Sequence, residues 1–420
     1  MLVLAGCNGY GHRQFQTGPP VDDWFDVEVD DFGQLWHSEQ QSAALDRIKA
    51  SIAETNTIVV AFAHGWHHNA HTDNQNRTEF KKAVEQVRAT LAAPAYIAAR
   101  EGLGAGKSVR VIGIYLGWRG RSLPGLLDYA TFWGRKAAAE RVGQGAVREF
   151  VLRLNEIYKE ANAKDSPRFM GLVFLGHSFG GQVLHRATAS VFEDDLVRRD
   201  QTIARVMALG AGQERRLAEI PPVSSVGDLV ILINPALEAM QFNRIHDLYR
   251  QRSYPLTQTP VLTVFSGEAD TARQRLFPIG RWFSSLLRPP FRDQRQRDEW
   301  LLALGEAEHQ RTHTLELNAD ATPIEWDPQR YCEQVVPMDF TNPRTNVGGA
   351  LLAPDPRAPH IPYSPVLVAY SGQEIIGAHS GIWEPSFRNF LVDYVALIEG
   401  KRLCLRAIAI RALTQRLPNR

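Results

Sequence analysis

A serine enclosed by glycines gives this sequence its clearest chemical signal: residues 176–180 are Gly-His-Ser-Phe-Gly, with Ser178 at the centre. The apolar residues 172–175 are typical of a buried strand in a parallel sheet, and residues 181–191 carry apolar side chains at helical spacing. A Gly-x-Ser-x-Gly turn between a strand and a helix is the context of a nucleophile elbow, which raises a serine hydroxyl above the sheet. A glycine-rich turn with an incidental serine would share the motif without needing both flanking elements. We therefore interpret Ser178 as a nucleophile.

The elements that would position this serine alternate between buried strands and amphipathic helices. Predicted strands cover residues 57–63, 108–116, 172–175, 228–233, 260–265 and 366–370, with an edge strand within 22–31. Predicted helices cover residues 38–52, 78–91, 127–142, 146–163, 181–191, 237–250 and 386–398. Because neighbouring parallel strands need a crossover that is usually a helix, this alternation predicts an α/β protein with a mostly parallel sheet.

This order of parts resembles the α/β-hydrolase fold superfamily. The closer resemblance is to uncharacterised bacterial serine hydrolases and esterases, and it rests on three motifs: His-Gly-Trp-x-x-Asn at 64–69, Gly-Trp-Arg-Gly at 117–120 and the elbow at 176–180. The resemblance covers about residues 57–190, 228–270 and 366–398. It implies a twisted, mostly parallel sheet flanked by helices, with a long insertion before the last strand.

The resemblance also implies a catalytic triad in the chain order serine, acid, histidine, with each member on the loop after a strand. Ser178 would be the nucleophile, and His379, the one histidine between the predicted last strand and last helix, would take and return its proton. The orienting acid would follow the strand at 260–265, where Asp270 is preferred and Glu268 is the alternative. The long stretch between acid and histidine is where this chain departs from simpler members of the superfamily.

An acyl-transfer site also needs N–H donors for the oxyanion of its tetrahedral intermediate. In the superfamily one donor is the residue after the nucleophile, here Phe179, and the second lies in the loop after an earlier strand, here Trp66. The remaining residues that are expected to line this site or to brace its loops are His64, Gly65, His67 and His177.

The same loop allows a second interpretation, because it contains four histidines: His64, His67, His68 and His71. Spaced i, i+3, i+4 and i+7, these side chains would share one face of a helix and could bind zinc. Against this interpretation, the segment leaves a strand through His-Gly and has no carboxylate before Asp73. We therefore predict a site without metal or cofactor and keep a metal-dependent hydrolase as an alternative.

These residues predict a carboxylic ester hydrolase that works through an acyl-enzyme on Ser178, with a small-molecule ester or acyl compound as substrate. Esterases, lipases, thioesterases, amidases and acyltransferases share this machinery, and the sequence does not separate them. The formal net charge of +1 gives no support for a nucleic-acid partner. A catalytically inactive, surface-anchored binding or scaffold protein with the same fold is the remaining alternative.

The start of the chain matches a bacterial lipoprotein signal. Leu-Ala-Gly-Cys at 4–7 fits the cleavage pattern that leaves a lipidated cysteine, Cys7, although few residues precede it. Residues 8–20 are polar, with glycine and proline, as in a flexible tether. We therefore interpret residues 1–20 as a signal remnant and tether and expect a membrane-anchored protein of the cell envelope, with a cytoplasmic protein as the alternative.

The rest of the chain is interpreted as one domain at 21–400 and a basic tail at 401–420. Within the domain, residues 271–365 exceed what the strand–helix pattern needs, and they are expected to form either a lid or an arm docked on the domain. The chain contains three cysteines: Cys7, Cys332 and Cys404. They are too few and too scattered in sequence to predict a disulfide framework or a thiolate zinc site.

Overall fold

The computed structural model describes residues 15–16, 22–94, 96–97, 101, 108–122, 131–163, 166, 168–208, 222–268, 290–318, 326–341 and 345–416. Within these ranges ten strands form one sheet: Trp24–Glu28 (β1), Asn56–Ala63 (β2), Val109–Gly117 (β3), Met170–His177 (β4), Leu229–Ile233 (β5), Leu262–Gly267 (β6), His313–Leu317 (β7), Thr345–Val347 (β8), Ala350–Pro354 (β9) and Val366–Ser371 (β10). The helices are Ser38–Glu54 (α1), Gln75–Leu91 (α2), Phe132–Gln144 (α3), Ala146–Ala161 (α4), Phe179–Ala208 (α5), Asn243–Arg250 (α6), Gln294–Leu301 (α7), Tyr331–Val335 (α8) and Pro385–Arg416 (α9).

The sheet is mixed and mostly parallel, with the strand order β1-β3-β2-β4-β5-β6-β10-β7-β9-β8. From β1 to β7 in this order neighbouring strands are parallel, and β9 and β8 complete the far edge in antiparallel pairs. The predicted parallel sheet flanked by helices is confirmed, and β1 lies at an edge as predicted. This architecture is compatible with an α/β-hydrolase-like fold. Because the central strands are parallel, the loops after β2, β4, β6 and β10 begin at one edge of the sheet.

Both faces of the sheet are buried, which explains the continuous apolar runs in the strand sequences. In β4, Leu172 and Phe174 belong to one hydrophobic cluster, whereas Val173 and Leu175 belong to the other. Helices α1, α3, α4, α5 and α6 cover the first face, and α2 and α9 cover the second. Each such buried side chain contributes about 1.5–3 kcal/mol relative to exposure. The strand that ends at the elbow is thus held from both sides.

The described residues of the segment 271–365 extend the sheet. β7 pairs in parallel with β10, and β9 and β8 follow in antiparallel register, so β10 lies inside the sheet. These described residues thus form strands of the same sheet, and a lid formed by the rest of the segment stays a prediction. The sequence of β7, His-Thr-Leu-Glu-Leu, is half-exposed and has no continuous apolar run, and β9 contains only the short run Ala-Leu-Leu-Ala. Residues 269–289 lie outside the described residues.

The last helix is longer than predicted. α9 continues past residue 398 into the basic segment, so residues 401–416 belong to the last helix, and the start of that segment is buried rather than solvated. Lys401 is fully buried, and Arg402 pairs with the buried carboxylate of Asp228 at 2.9 Å. Like every other helix in the described ranges, α9 lacks the sustained apolar stretch that a bilayer-spanning segment needs.

A disulfide joins Cys332 in α8 to Cys404 in α9. The scatter of the cysteines along the chain gave no indication of this bond. The packing of α8 against α9 brings the two residues together, although they are 72 positions apart. The bond fixes the segment before β8 to the last helix. Cys7 lies outside the described residues, as do the other residues of 1–14.

Removal of the disulfide should lower the free energy of unfolding by about 2–5 kcal/mol, because the bond restricts the unfolded chain over a long loop. The double variant Cys332→Ala with Cys404→Ala tests this by chemical denaturation. Reductant should destabilise the wild type by a similar amount and leave the double variant unaffected. Equal unfolding midpoints for the wild type with and without reductant would contradict the prediction.

Candidate active site

Ser178 occupies the sharp turn between β4 and α5, with a φ of +55°. This left-handed conformation costs a residue with a β-carbon about 1–2 kcal/mol, so the surrounding structure must hold the turn. The N–H of Ser178 donates to the carbonyl of Ile233 at 3.0 Å, and its own carbonyl accepts from the Ala236 N–H at 3.0 Å. A β-carbon at Gly180 would lie 1.9 Å from the carbonyl oxygen of Ala63. The sequence therefore folds locally as a tight elbow seated on the ends of β2 and β5.

The imidazole of His379 lies against this serine. His379 is in the loop between β10 and α9, and its Nε2 is 2.8 Å from the Oγ of Ser178. Ser178 is 3% exposed and His379 is half-buried, so the pair lies in a shielded part of the sheet edge. At this distance a serine hydroxyl can give its proton to an imidazole. The structure thus brings together two predicted site residues that are 201 positions apart.

Of the two candidate acids, Glu268 is the one within the described residues. It is the first residue after β6, its side chain is exposed, and its N–H donates to the carbonyl of Ser371 at 2.8 Å. An exposed carboxylate orients an imidazole poorly, because water competes for it and screens its charge. Asp270, the preferred acid, lies outside the described residues.

The loop after β2 passes directly beside Ser178. A β-carbon on Gly65 would lie 2.8 Å from the Cβ of Ser178, so a glycine is needed for this close approach. His67 is exposed and has a left-handed φ of +69°, and its N–H donates to the carbonyl of Gly120 at 3.1 Å. The N–H of Gly120 in turn donates to the carbonyl of His68 at 2.9 Å. These two bonds tie the loop to the segment that follows β3.

His64 braces this loop from within the core. It is fully buried; its Nε2 accepts the Trp118 N–H at 3.1 Å, and its Nδ1 lies 2.9 Å from the carbonyl oxygen of Gly65. Because Nε2 accepts, the ring is the neutral tautomer whose Nδ1–H donates to Gly65. Burial lowers the pKa of His64 to about 3. A neutral imidazole thus holds the Gly65 carbonyl and, through the planar peptide, sets the direction of the Trp66 N–H.

Three aromatic residues, named here the aromatic wall, pack beside the elbow: Trp66, Phe132 and Phe179. Phe179 is fully buried, and the ring of Phe132 at the start of α3 packs against it with centroids 5.0 Å apart. Trp66 contacts Phe132 at 5.1 Å between centroids, and both of these rings are half-buried. Sequence reasoning selects Trp66 and Phe179 but misses Phe132, because one aromatic residue at a helix start carries no signal of its tertiary neighbours.

Two buried side chains bind the backbone of the His379 loop. The carbonyl of His379 accepts from His177 Nε2 at 2.8 Å and from Asn234 Nδ2 at 3.3 Å. His177, which is expected from the sequence to line the site, is 2% exposed and faces this carbonyl. Asn234 is not selected by sequence reasoning, since its only local signal is its place at the end of β5.

The loop histidines do not form the shared face on which the zinc alternative depends. Residues 64–71 form turns rather than a helix, so their spacing does not align the side chains. His64 uses both ring nitrogens in bonds to the protein, and His68 Nδ1 lies 3.2 Å from Asn74 Oδ1. In the part of the chain that the structure describes, no three or more His, Cys, Asp or Glu side chains are grouped to hold a metal ion. The helical premise of the metal-dependent alternative is therefore wrong.

No family model matches this chain, and no curated protein matches it. Among solved structures the chain is similar to phospholipase PlaB from Legionella pneumophila, with 12% sequence identity and a TM-score of 0.26. The similarity covers 64% of this chain and 48% of the phospholipase chain, so the matched part spans about half of that protein. Similarity at this level does not define a family for the chain.

The buried histidines predict a loss of stability on acidification. Burial lowers the pKa values of His64 and His185 to about 3 and those of His68 and His313 to about 4. Histidine in an unfolded chain has a pKa of about 6.5, so below that pH the unfolded state binds more protons than the folded state. The free energy of unfolding should therefore fall as the pH falls from about 6.5 towards 4, by about 1.4 kcal/mol per pH unit for each histidine.

His64→Asn should reduce this pH slope by about 1.4 kcal/mol per unit between about pH 6 and pH 5, because one neutral buried imidazole is removed. His185→Asn should reduce the slope by a similar amount, since His185 in α5 is also buried and burial lowers its pKa. Denaturant unfolding at several pH values measures both slopes. A slope that remains at its wild-type value in both variants would show that these histidines do not control acid stability.

Proposed function

We propose that this protein is a serine hydrolase, specifically a carboxylic ester hydrolase that acts through an acyl-enzyme on Ser178. The observation that carries this proposal is the 2.8 Å contact between His379 Nε2 and Ser178 Oγ in a left-handed strand–helix turn. A serine in such a turn and bound to imidazole has the arrangement of an activated nucleophile. We also propose that the sheet is a variant of the α/β-hydrolase fold, since both residues follow parallel strands at one sheet edge.

In the first half of the proposed reaction, His379 Nε2 accepts the hydroxyl proton while Ser178 Oγ bonds to the ester carbonyl carbon. The carbonyl oxygen becomes an oxyanion, which the N–H groups of Phe179 and Trp66 would stabilise. When the bond to the alcohol oxygen breaks, the imidazolium gives its proton to the leaving oxygen, and the acyl group remains on Ser178. Water then loses a proton to His379 and attacks the acyl carbon, and Oγ leaves with the returned proton.

Two features support the assigned oxyanion donors. Phe179 is the first residue of α5, and the first N–H groups of a helix have no partner within the helix and lie at the positive end of its dipole. The Gly65 backbone lies against Ser178, and the bond from His64 to the Gly65 carbonyl fixes the adjoining peptide. Loss of one such donor typically costs about 10²–10³ in rate.

We propose Asp270 as the acid that orients His379. Its support is the order of the strands: β6 is the direct neighbour of β10, with Gly267 opposite Ser371, so the loop that follows β6 begins beside the His379 loop. The exposure of Glu268 favours the other candidate, because a triad acid is normally buried against its histidine.

The aromatic wall supports a substrate with an apolar acyl or alcohol group. Its half-buried members, Trp66 and Phe132, offer uncharged ring surface beside the elbow. The alternative of an inactive binding protein requires a histidine out of reach of Ser178, and the 2.8 Å contact between the two side chains argues against it.

A fluorophosphonate probe should label the folded protein at Ser178, because an activated serine attacks the phosphorus of the probe. Ser178→Ala should abolish labelling, and His379→Gln should slow it by about 10²–10⁴-fold. Ser380→Ala, at an exposed serine beside His379, is the matched control and should label at the wild-type rate. Peptide mass mapping locates the adduct. No adduct on folded wild-type protein, with ester turnover unchanged in Ser178→Ala, would refute the proposed function.

The two candidate acids can be separated by equivalent substitutions. Asp270→Asn should lower kcat by on the order of 10⁴, because a neutral amide stabilises neither the required tautomer nor the imidazolium. Glu268→Gln removes the same charge from an exposed position and should change kcat by less than about threefold. Steady-state kinetics on a short-chain ester measures both. The reverse order of effects would identify Glu268, and two small effects would rule out either residue as the acid.

A further inference from the structure

The loop that carries His379 is exposed on both sides of the histidine, yet its carbonyl is bound from the protein interior. Ala378 and Ser380 are exposed, whereas the two donors to the His379 carbonyl, His177 and Asn234, are buried. Exposed loop residues bury little surface, so they contribute little to fixing the backbone. The two hydrogen bonds to this carbonyl are therefore well placed to hold the loop.

Asn234 connects three elements through its backbone and both ends of its amide. It is fully buried and has a φ of +45° at the end of β5, a left-handed conformation that asparagine tolerates better than most residues. Its Oδ1 accepts the N–H of Gly267 at 2.8 Å, so its Nδ2 must face the opposite side, where it donates to His379. One amide group thus joins the carboxyl ends of β5 and β6 to the histidine loop.

His177 makes the second connection from the strand of the nucleophile itself. It directly precedes Ser178, and its Nε2–H donates to the His379 carbonyl at 2.8 Å. Because His177 and Ser178 are adjacent in the chain, this bond ties the loop of the histidine to the turn that holds the serine. The distance between Ser178 Oγ and His379 Nε2 therefore depends on few intervening bonds, because one hydrogen bond links the His379 backbone to the residue next to Ser178.

We propose that Asn234, together with His177, is a positioning residue: its amide N–H holds the His379 carbonyl and thereby keeps the imidazole within proton-transfer distance of Ser178. This inference rests on the proposed function, because it assigns a role within the same site. A displacement of about 1 Å between reacting groups can cost on the order of 10²-fold in rate. Loss of a hydrogen bond to the His379 carbonyl should therefore lower turnover more than it weakens substrate binding.

Asn234→Asp isolates the donated hydrogen bond. Aspartate keeps the side-chain shape, the tolerance for a left-handed backbone and an acceptor for Gly267, but it presents an oxygen to the His379 carbonyl. We expect kcat to fall about 10- to 100-fold while KM changes by less than about threefold. Asn155→Asp is the matched control: Asn155 is 4% exposed and accepts from the Gly227 N–H at 3.0 Å, at the opposite edge of the sheet. It should keep the wild-type kcat.

A second pair of variants tests the hydrogen bond that the other donor, His177, makes to the His379 carbonyl. Glutamine at 177 can place an amide N–H close to the position of the imidazole Nε2–H, so His177→Gln should retain most of the turnover. His177→Phe keeps a ring without a donor and should lower kcat about tenfold or more. Equal turnover in His177→Gln and His177→Phe would show that this hydrogen bond does not position the site.

Hydrogen exchange of residues 376–384 separates this inference from the proposed function. In a Ser178→Ala background, where no acyl-enzyme forms, Asn234→Asp should speed amide exchange in this segment about 3- to 10-fold, as expected for one lost hydrogen bond, and Asn155→Asp should not. An inert wild-type serine would refute the proposed function, whatever the exchange rates. Normal probe labelling of the wild type, with unchanged kcat and exchange in Asn234→Asp, would overturn the positioning role and leave the hydrolase proposal intact.

Discussion

The close contact between the β4–α5 turn and the end of β2 constrains this whole edge of the sheet. A β-carbon at Gly180 would lie 1.9 Å from the carbonyl oxygen of Ala63, and one at Gly65 would lie 2.8 Å from the Cβ of Ser178. The serine pays a conformational cost of about 1–2 kcal/mol for its left-handed backbone, and two backbone hydrogen bonds from the β5 end offset it. The hydroxyl is therefore positioned by three neighbouring strands rather than by one flexible loop.

Most of the central fold could be predicted because its signals are local. Strands buried on both faces must be apolar throughout, so β2, β4 and β5 are visible as short hydrophobic runs, and the helices between them show their own spacing. The strands β7 and β8 lie towards an edge of the sheet and carry no such run, and the short run Ala-Leu-Leu-Ala of β9 is followed by prolines at 354, 356 and 359. The disulfide was missed for a related reason, since its partners meet only when α8 packs on α9.

The residues of the candidate site also fall into those that have a local signal in the sequence and those that do not. Ser178 could be predicted from its motif and flanking elements, and His379 from its place in the chain order. Asn234 and Phe132 could not, because their roles come from contacts with residues far away in sequence. The histidine spacing in 64–71 was misleading, because a periodic pattern indicates a shared face only where the chain is helical, and this segment turns.

Two features that the sequence did not reveal, the pairing of β7 with β10 and the extension of α9, each support one end of the His379 loop. The loop leaves β10, which β7 flanks on its outer side, and it enters α9, which is fixed at the opposite edge of the sheet. There the Asp228 carboxylate accepts from Arg402 at 2.9 Å, from the Tyr158 hydroxyl at 2.6 Å and from the Leu172 N–H at 2.8 Å.

Two buried carboxyl groups, Asp228 and Glu399, lie near Arg402, and their electrostatics favour Asp228 as its partner. Burial and the neighbouring Asp228 raise the pKa of Glu399 well above its usual range. Burial raises the pKa of Asp228 as well, but the Arg402 guanidinium and the hydrogen bonds that Asp228 accepts oppose this rise, so Asp228 is the better counter-ion. Breaking a buried ion pair typically costs about 3–5 kcal/mol, since one charge is left without compensation. The disulfide at Cys404 adds a covalent restraint within one turn of the same helix. The proposed proton relay at one edge of the sheet is thus supported in part by a helix that is fixed at the other edge, because the His379 loop is held at its two ends as well as through the bonds to the His379 carbonyl.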